Sequence, residues 1–223
     1  MSQNPKEIVR KGHDAVSRSY RGDEEDAACE RYHAWLDDLI PLLPKGAPVL
    51  DLGCGNGIPV ARRLVNEGFD VTGVDISLVQ IDRAKRLVAA ACFICADMAS
   101  LKFPPGRFDA IVSFYAIIHV PLEEQQPLLS SMRHWLRPGG RLMATVGNTS
   151  WSGVEQDWLD VPGATMIWSH ADSATYEKWL AENGFTVRWI AAVTLPTIAA
   201  AADIKNLAAF LTSTDLPAKR ADG

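Results

Sequence analysis

Short apolar runs alternate along most of the chain with segments in which apolar residues recur at helical spacing. The apolar runs predict six strands, over residues 48–52, 70–75, 92–96, 108–114, 141–146 and 185–193. The segments between them predict helices over 58–66, 78–89, 122–136 and 173–183. Unbroken apolar runs are typical of parallel strands that are covered on both faces. The pattern therefore predicts an α/β fold with a doubly wound, mostly parallel sheet and ligands at the carboxyl ends of its strands.

Three regions fall outside this alternation and suggest how the chain is organised. Residues 1–45 predict two helices that form an N-terminal cap over a core of residues 46–195. Within that core, residues 147–170 contain three tryptophans without steady periodicity. We interpret them as an aromatic lid segment, because long loops in compact domains are usually functional. Residues 196–223 form a C-terminal tail whose alanine-rich periodicity favours helix and offers no convincing strand.

The most specific motif begins where the first strand ends. Asp51 is followed by glycines at positions 53, 55 and 57, which allow a tight turn and a close approach of the backbone to a ligand. A dinucleotide-binding loop needs a third small residue at its sixth place, but counting from Gly53 that place holds Ile58. Asp51 would also repel a pyrophosphate, whereas it suits an ammonium group. The loop is therefore predicted to hold a small, partly cationic molecule.

Two further acids follow the next two predicted strands. Asp75 lies eighteen residues after Gly57, and an ionised carboxylate there could accept hydrogen bonds from both hydroxyls of a ribose. Asp97, in the sequence CADM, could accept a hydrogen bond from an adenine amino group. Dinucleotide-binding folds also use an acid at the place of Asp75, so this residue alone does not discriminate between ligands. Together with the glycine loop, the acids predict a nucleoside site.

In their order and spacing, the motifs LDLGCGNG, GVDIS, CADM and FDAIVSFYAIIHV resemble those of class I S-adenosylmethionine-dependent methyltransferases of the small-molecule type. The resemblance covers roughly residues 45 to 190. It implies a Rossmann-like methyltransferase fold, S-adenosyl-L-methionine as the cofactor and methyl transfer as the activity. Sheets of this family normally contain a seventh strand inserted between strands five and six. Because the tail offers none, we expect an atypical C-terminal tail and six or seven strands.

The resemblance also implies roles for individual residues. Asp51 would lie near the methionine amino group, Asp75 at the ribose and Asp97 at the adenine, with Ile76 packed on the adenine face. Tyr20 belongs to a segment that resembles a lid over the cofactor, and packing at the edge of the core is the alternative for it. The full set of implied cofactor-binding residues is Tyr20, Asp51, Gly53, Cys54, Gly55, Gly57, Asp75, Ile76, Asp97, Met98 and Phe114.

The segment after the fourth strand should lie beside the transferred methyl group. Histidine is the side chain best suited to remove a proton near neutral pH, so the catalytic candidates are His119, His170 and Tyr115. A structural tie to a backbone carbonyl is the alternative for His119, and packing of the lid is the alternative for His170. The remaining histidines, at positions 13, 33 and 134, lie in charged helical surroundings and are predicted to lie on the surface.

The aromatic lid segment supplies candidates for contact with the methyl acceptor. Large rigid rings exclude water from a pocket, so Trp151, Trp158 and Trp168 could form an apolar cap over the acceptor, with His170 as a further contact. Core packing would explain the three tryptophans almost as well.

Other residues bear on the type of reaction. Ser113, Phe114 and Tyr115 stand where metal-dependent relatives place carboxylates, so no metal site is predicted. The Asn- or Asp-Pro-Pro sequence of relatives that methylate nucleobase amino groups is absent. A net charge of -5 without a basic stripe disfavours a nucleic-acid partner. We expect metal-independent transfer to a small, partly apolar metabolite, first of all at oxygen, with nitrogen and sulfur as alternatives.

Composition and edge coverage set the remaining expectations. The opening residues are too polar for a secretory signal, and no apolar run reaches the length of about eighteen residues that a membrane helix needs, which predicts a cytoplasmic protein with no membrane partner. The C-terminal tail or a second copy of the chain could cover the sheet edge, and a second copy would give a homodimer. Two other functions stay open: an NAD(P)-dependent oxidoreductase, which the loop and the lack of a Tyr-x-x-x-Lys pair disfavour, and a non-catalytic regulator that binds S-adenosylmethionine.

Overall fold

The structure of the protein, a computed structural model, describes residues 4–194 and 205–213. In these ranges the helices are α1 (Pro5–Tyr20), α2 (Glu30–Leu39), α3 (Val60–Asn66), α4 (Leu78–Leu87), α5 (Leu122–Trp135) and α6 (Ser173–Glu182). The strands are β1 (Pro48–Leu52), β2 (Asp70–Asp75), β3 (Cys92–Cys95), β4 (Phe108–Ser113), β5 (Leu136–Gly147), β6 (Trp151–Glu155), β7 (Met166–His170), β8 (Phe185–Thr194) and β9 (Lys205–Ser213). Short 3-10 helices cover Ala27–Cys29, Ile40–Leu42, Met98–Ser100, Ile117–His119 and Trp158–Asp160.

Seven of these strands form one sheet, in the order β3-β2-β1-β4-β5-β9-β8. Strands β1 to β5 are parallel, and every residue of β4 is buried, as the unbroken apolar runs predict. The predicted doubly wound sheet is confirmed. The order of the strands reverses between β1 and β4, so the carboxyl ends of these two strands flank the crevice in which such folds bind ligands.

The prediction for the tail is wrong over residues 205–213. They form β9, which lies antiparallel between β5 and β8 and pairs Thr212 with Arg141 on one side and Ser213 with Phe185 on the other. This is the position of the seventh strand in sheets of the resembled family. The helix preference of alanine is worth about 1 kcal/mol or less per residue, and backbone pairing with two neighbouring strands overrides it. The rest of the predicted tail lies outside the described residues.

Apolar side chains cover both faces of the sheet. Successive residues of a strand point to opposite faces, so Val49 joins a cluster with α2, α3 and α4, whereas Leu50 joins a cluster with α5 and α6. Leu64 of α3 and Met132 of α5 are fully buried in these two clusters. The two layers hold β1 and β4 rigidly, and with them the loops that follow these strands.

Strands β6 and β7 form an antiparallel hairpin. A third apolar cluster joins α1 to β7 and to the loop of this hairpin, and it lies where the parallel strands end. It includes Val16 of α1, Trp168 of β7 and Ile118, which follows β4. The backbones are close, because a Cβ added at Gly12 would lie 2.4 Å from the carbonyl oxygen of Thr165. The predicted N-terminal helices are confirmed, and the aromatic segment contains a hairpin rather than a continuous loop. In the described ranges, the structure has no helix that is long and apolar enough to cross a membrane.

Candidate functional site

The loop after β1 needs all three of its glycines. Gly53, Gly55 and Gly57 have φ values of +78°, +54° and +82°, a region in which side chains are strained. A Cβ at Gly53 would also lie 2.1 Å from the Cβ of Ala116. The amides of Gly53 and Cys54 both donate to the carbonyl oxygen of Val74, 2.8 and 3.0 Å away, which fixes the turn. Bare backbone is thereby presented at the carboxyl edge of the sheet.

Asp51 is a buried acid without a full set of partners. Its residue is 2% exposed, and its Oδ2 atom has no hydrogen-bond partner in the described structure. Burial, together with the charge of the nearby Asp75, raises the pKa of Asp51 to about 8. The residue lines a pocket beside Gly53 and Gly55. An orphaned carboxylate oxygen in a pocket wall fits a cationic amino group, which would satisfy it and favour its ionised form.

Asp75 is fixed by the backbone at the end of β2. Its Oδ2 accepts from the Gly55 amide and its Oδ1 from the Ser77 amide, both at 2.9 Å. Burial nevertheless raises the pKa of Asp75 to about 6, against the lowering effect of these hydrogen bonds. Each carboxylate oxygen has a second lone pair, so both can still accept from a ligand hydroxyl.

Gly53, Gly55 and Asp75 border one cavity, which we call the main cleft, and the Asp51 pocket adjoins it through the same two glycines. The main cleft lies at the carboxyl edge of the sheet and under α1, and Lys6, Val9 and His13 of that helix line it. It also brings together most of the residues that the sequence predicted to bind the cofactor or act in catalysis. These are Tyr20, Gly53, Gly55, Asp75, Ile76, Asp97, Met98, Phe114, Tyr115 and His119.

One rim of the main cleft is bridged by an ion pair. The Nζ atom of Lys6 lies 2.6 Å from Oδ2 of Asp97 and also pairs with Glu124 of α5. The other oxygen of Asp97 accepts from the Ala99 amide, 2.9 Å away, and so caps the short helix that follows β3. Asp97 thus already has a cationic partner, and a ligand that used this carboxylate would compete with Lys6.

Tyr115 and His119 follow β4 and are held in defined orientations. Tyr115 has a left-handed backbone, with φ of +54°, and its amide donates to Oγ1 of Thr145. His119 donates from Nδ1 to the carbonyl oxygen of Ile167, 2.9 Å away, so its Nε2 atom carries the lone pair. Burial, and the neighbouring His13 to a smaller extent, lower the pKa of His119 to about 3. The ring is therefore a neutral hydrogen-bond acceptor.

A second cavity of about 240 Å³, the side cavity, adjoins the main cleft. Tyr20, Tyr115 and His119 line both spaces and form their common wall. The side cavity is also lined by Trp158 and Trp168 of the aromatic segment. Its other lining residues include Arg21, Asp26, Arg31 and Tyr32.

Some predicted site residues lie elsewhere. His170 is 1% exposed and donates from Nδ1 to the carbonyl oxygen of Thr149, and it lines neither the main cleft nor the side cavity. Trp151, on β6, is 43% exposed and also lines neither the main cleft nor the side cavity. Gly57 packs under the loop near Val88. Cys54 lies with Asp51 in the adjoining pocket, where burial raises the pKa of its thiol.

Comparisons with known proteins show the family to which the chain belongs. A family described as "Methyltransferase domain" matches residues 49–140. The ubiquinone biosynthesis O-methyltransferase of Xylella fastidiosa is 30% identical over 178 residues, which cover 70% of this chain and 70% of that protein. The chain belongs to the class I S-adenosylmethionine-dependent methyltransferases.

Two further proteins are similar to this methyltransferase. The 27-O-demethylrifamycin SV methyltransferase of Amycolatopsis mediterranei is 34% identical over 129 residues, 54% of this chain and 47% of that protein. The crystal structure of 1,6-didemethyltoxoflavin-N1-methyltransferase from Burkholderia thailandensis, with bound 1,6-didemethyltoxoflavin and S-adenosylhomocysteine, shares the fold. Its TM-score is 0.68 at 22% identity, and the match covers 96% of this chain and 92% of that chain. The chain spans between 22% and 47% of the length of the first four curated relatives it matches.

Sequence reasoning missed several residues of the site in this methyltransferase. His13 was predicted to lie on the surface, but it lines the main cleft, with its ring centroid 5.3 Å from that of His119. Burial lowers its pKa to about 4. Its helical spacing from Val9, Val16 and Tyr20 places it on the inner face of α1, which is the signal that could have revealed it. Lys6 and Arg31 gave no such signal, because their roles depend on contacts distant in sequence. In the described residues, no group of three or more histidine, cysteine or acidic side chains could hold a metal ion.

Proposed function

We propose that the chain binds S-adenosylmethionine in the main cleft and transfers its methyl group, without a metal ion, to an oxygen of a small, partly apolar molecule in the side cavity. The observation that carries this proposal is the common wall of the two spaces. Tyr20, Tyr115 and His119 border both, so a donor in one and an acceptor in the other would meet beside them. A cytoplasmic location and a diffusible acceptor rather than a nucleic acid are part of the proposal, since the net charge of -5 opposes binding to a phosphate backbone.

The residues of the main cleft and of the adjoining Asp51 pocket fit the parts of this cofactor. Asp51 would bind the amino group and Asp75 the ribose hydroxyls, because both are acceptors with spare lone pairs. Ile76 and Met98 offer apolar contact to the adenine, and Asp97 would accept from its amino group once Lys6 is displaced. When bound, the cofactor supplies a methyl carbon on a positively charged sulfur, which the acceptor oxygen attacks as the carbon–sulfur bond breaks.

The chain's own contribution to the reaction is alignment and proton removal. Alignment of reacting atoms can supply roughly 7 to 11 kcal/mol. The Tyr115 amide, which donates to Thr145, would contribute to it by fixing the backbone of the common wall. Nδ1 of His119 donates to the carbonyl oxygen of Ile167, so Nε2 carries the lone pair and can accept the proton of a hydroxyl on the methyl acceptor and pass it to solvent. Its low pKa makes it a weak base, which favours an acidic hydroxyl such as a phenol over an alkyl alcohol. Two of the relatives named above are O-methyltransferases, which also supports oxygen.

Two measurements test the proposal. Titration calorimetry with S-adenosylmethionine, S-adenosylhomocysteine and NADH should show binding of the first two and none of NADH. Mass spectrometry of reactions with phenol, amine and thiol acceptors should show methyl ethers, at a rate that a chelator does not change. Binding of NADH in their place would support the oxidoreductase, and cofactor binding without turnover of any acceptor would support the regulator. Methylated amines or thiols among the products would show that the acceptor atom is nitrogen or sulfur rather than oxygen.

A further inference from the structure

We propose that Arg31 is the anchor for an anionic group on the methyl acceptor, so that the acceptor class is a planar aromatic acid, such as a hydroxyaryl carboxylate. This inference rests on the proposed function, in which the side cavity holds the acceptor. It follows from the balance of charge in that cavity and from the position of Arg31 beside the common wall.

The side cavity has one more positively charged lining residue than negatively charged ones. Its charged lining residues are Arg21, Asp26 and Arg31. Arg21 is matched, because its Nη1 lies 3.2 Å from Oδ1 of Asp26 and its guanidinium lies 5.3 Å from the centre of the Tyr32 ring. Arg31 has no carboxylate within 4.0 Å among the described residues, and its one recorded hydrogen bond runs from Nη1 to the hydroxyl of Tyr115, at 3.1 Å. A guanidinium has five N–H donors, so four have no hydrogen-bond partner among the described residues.

The position of this charge is fixed. Arg31 lies in the first turn of α2, and Tyr115, its partner, is itself held by the Thr145 hydrogen bond and by its left-handed backbone. Tyr115 belongs to the common wall. An anion bound to Arg31 would therefore lie in the side cavity near the point of methyl transfer, and would set which atom of the acceptor faces the main cleft.

The remaining walls determine what carries the anion. Rings surround the space: Tyr20, Tyr32, Trp158 and Trp168 line it together with Tyr115. Aromatic walls favour a flat, conjugated body. In such apolar surroundings an ion pair with a guanidinium is stronger than in water, and the planar fork of arginine matches a carboxylate with two parallel hydrogen bonds. An aromatic carboxylate meets both conditions, whereas a neutral or cationic acceptor would leave the charge of Arg31 uncompensated.

Binding of matched probes tests this inference separately from catalysis. The probes are 3,4-dihydroxybenzoate and 1-hydroxy-2-naphthoate, each compared with its neutral methyl ester, titrated into protein saturated with S-adenosylhomocysteine. The wild-type chain should bind at least one acid about tenfold or more tightly than its ester. Arg31→Gln should remove that preference while affinity for the ester and for S-adenosylhomocysteine stays within about twofold. Arg31→Lys should retain part of it, because lysine keeps the charge but not the fork.

The matched control is Arg86→Gln, which removes the same charge from an exposed position on α4, away from both spaces. It should retain the full preference for the acid. Equal affinity for acid and ester, no binding of either acid, or a preference that survives in Arg31→Gln would each overturn the inference. Failure of S-adenosylhomocysteine to bind the wild-type chain would instead overturn the proposed function.

Discussion

At the scale of single residues, the site is built from polar groups that are poorly satisfied in the protein alone. Asp51 is the clearest case, with a buried oxygen that has no partner and a pKa raised to about 8. His119 shows the opposite shift for the same reason, since burial opposes its charged form. Such groups lower the stability of the protein without ligand, and they gain hydrogen-bond partners when a ligand binds. Functional sites commonly lower stability in this way.

Without ligand, the Asp51→Asn variant should be more stable than the wild-type chain, and this difference in stability should grow as the pH rises. The folded state keeps the Asp51 proton up to about pH 8, whereas the unfolded chain loses it near 3.8, so stability is greatest below that lower value and falls as pH rises towards 8. Asparagine does not ionise and avoids this loss. We expect a gain of at least about 1 kcal/mol at pH 8, or about 2 to 4 °C in Tm, and less at pH 5. An equal effect at both pH values would contradict the raised pKa.

The same acid should make cofactor affinity depend on pH. A cationic amino group needs the ionised form of Asp51, so binding releases a proton below pH 8, and affinity should fall by about tenfold for each pH unit below it. Asp75, with a pKa of about 6, would add to the loss at the lower end. Titration of S-adenosylhomocysteine between pH 6 and 8 measures this slope. The Asp51→Asn variant should bind more weakly and keep only the shallower dependence near pH 6 that Asp75 causes; an identical slope would refute the assignment.

Replacement of His119 should affect turnover and spare cofactor binding. Without Nε2 the acceptor hydroxyl has no proton acceptor at the common wall, so His119→Ala should lower kcat by about 10²-fold or more, the lower range for loss of a general base. Affinity for S-adenosylhomocysteine should change little. The control is His134→Ala, at an exposed position of α5. A rate unchanged in His119→Ala would remove the histidine from the mechanism.

At the scale of elements, α1 closes the main cleft through polar contacts as well as apolar ones. Besides the bridge from Lys6, Asp14 accepts from the Ser77 hydroxyl at 2.6 Å, and the buried Arg83 of α4 donates to the carbonyl oxygen of Ser17. The helix itself could be predicted from its capped start and apolar spacing. Its position over the main cleft could not be predicted, because each of these contacts joins residues some sixty or more positions apart.

The bridge from Lys6 should slow entry of the cofactor. An ion pair that is partly exposed is worth about 0.2 to 1 kcal/mol, so Lys6→Met should raise the affinity for S-adenosylhomocysteine by up to about fivefold, by freeing Asp97. Association, followed by tryptophan fluorescence in stopped flow, should become faster. Lys11→Met is the control, since Lys11 is exposed on the same helix and pairs only with Glu7 in the described structure. Slower association in Lys6→Met would show that the bridge helps to form the site.

At the scale of the whole molecule, the sequence predicts those strands and site residues that local apolar patterns determine. The strands β1, β2 and β4 and the acids at the ends of β1 and β2 follow from apolar runs that can only be buried in a parallel sheet. The strand β9 could not be predicted, because it lies in a tail whose alanine-rich sequence favours helix and its pairing with β5 joins residues far apart in the chain. The same reason applies to the side cavity, whose walls come from α1, α2, β7 and the loop after β4.

The inserted strand should decide whether the sheet is stable. Without β9, both β5 and β8 would present unpaired backbone donors and acceptors, each hydrogen bond lost costing about 0.5 to 1.5 kcal/mol. Because domains have only about 5 to 15 kcal/mol of stability, a chain ending at residue 204 should lose cooperative unfolding or aggregate through the exposed edges. A chain ending at residue 213 keeps β9 and should unfold in one cooperative transition, so it is the reference for the shorter chain. Equal midpoints for both truncated chains, with both monomeric by size exclusion, would mean that β9 contributes nothing to the sheet.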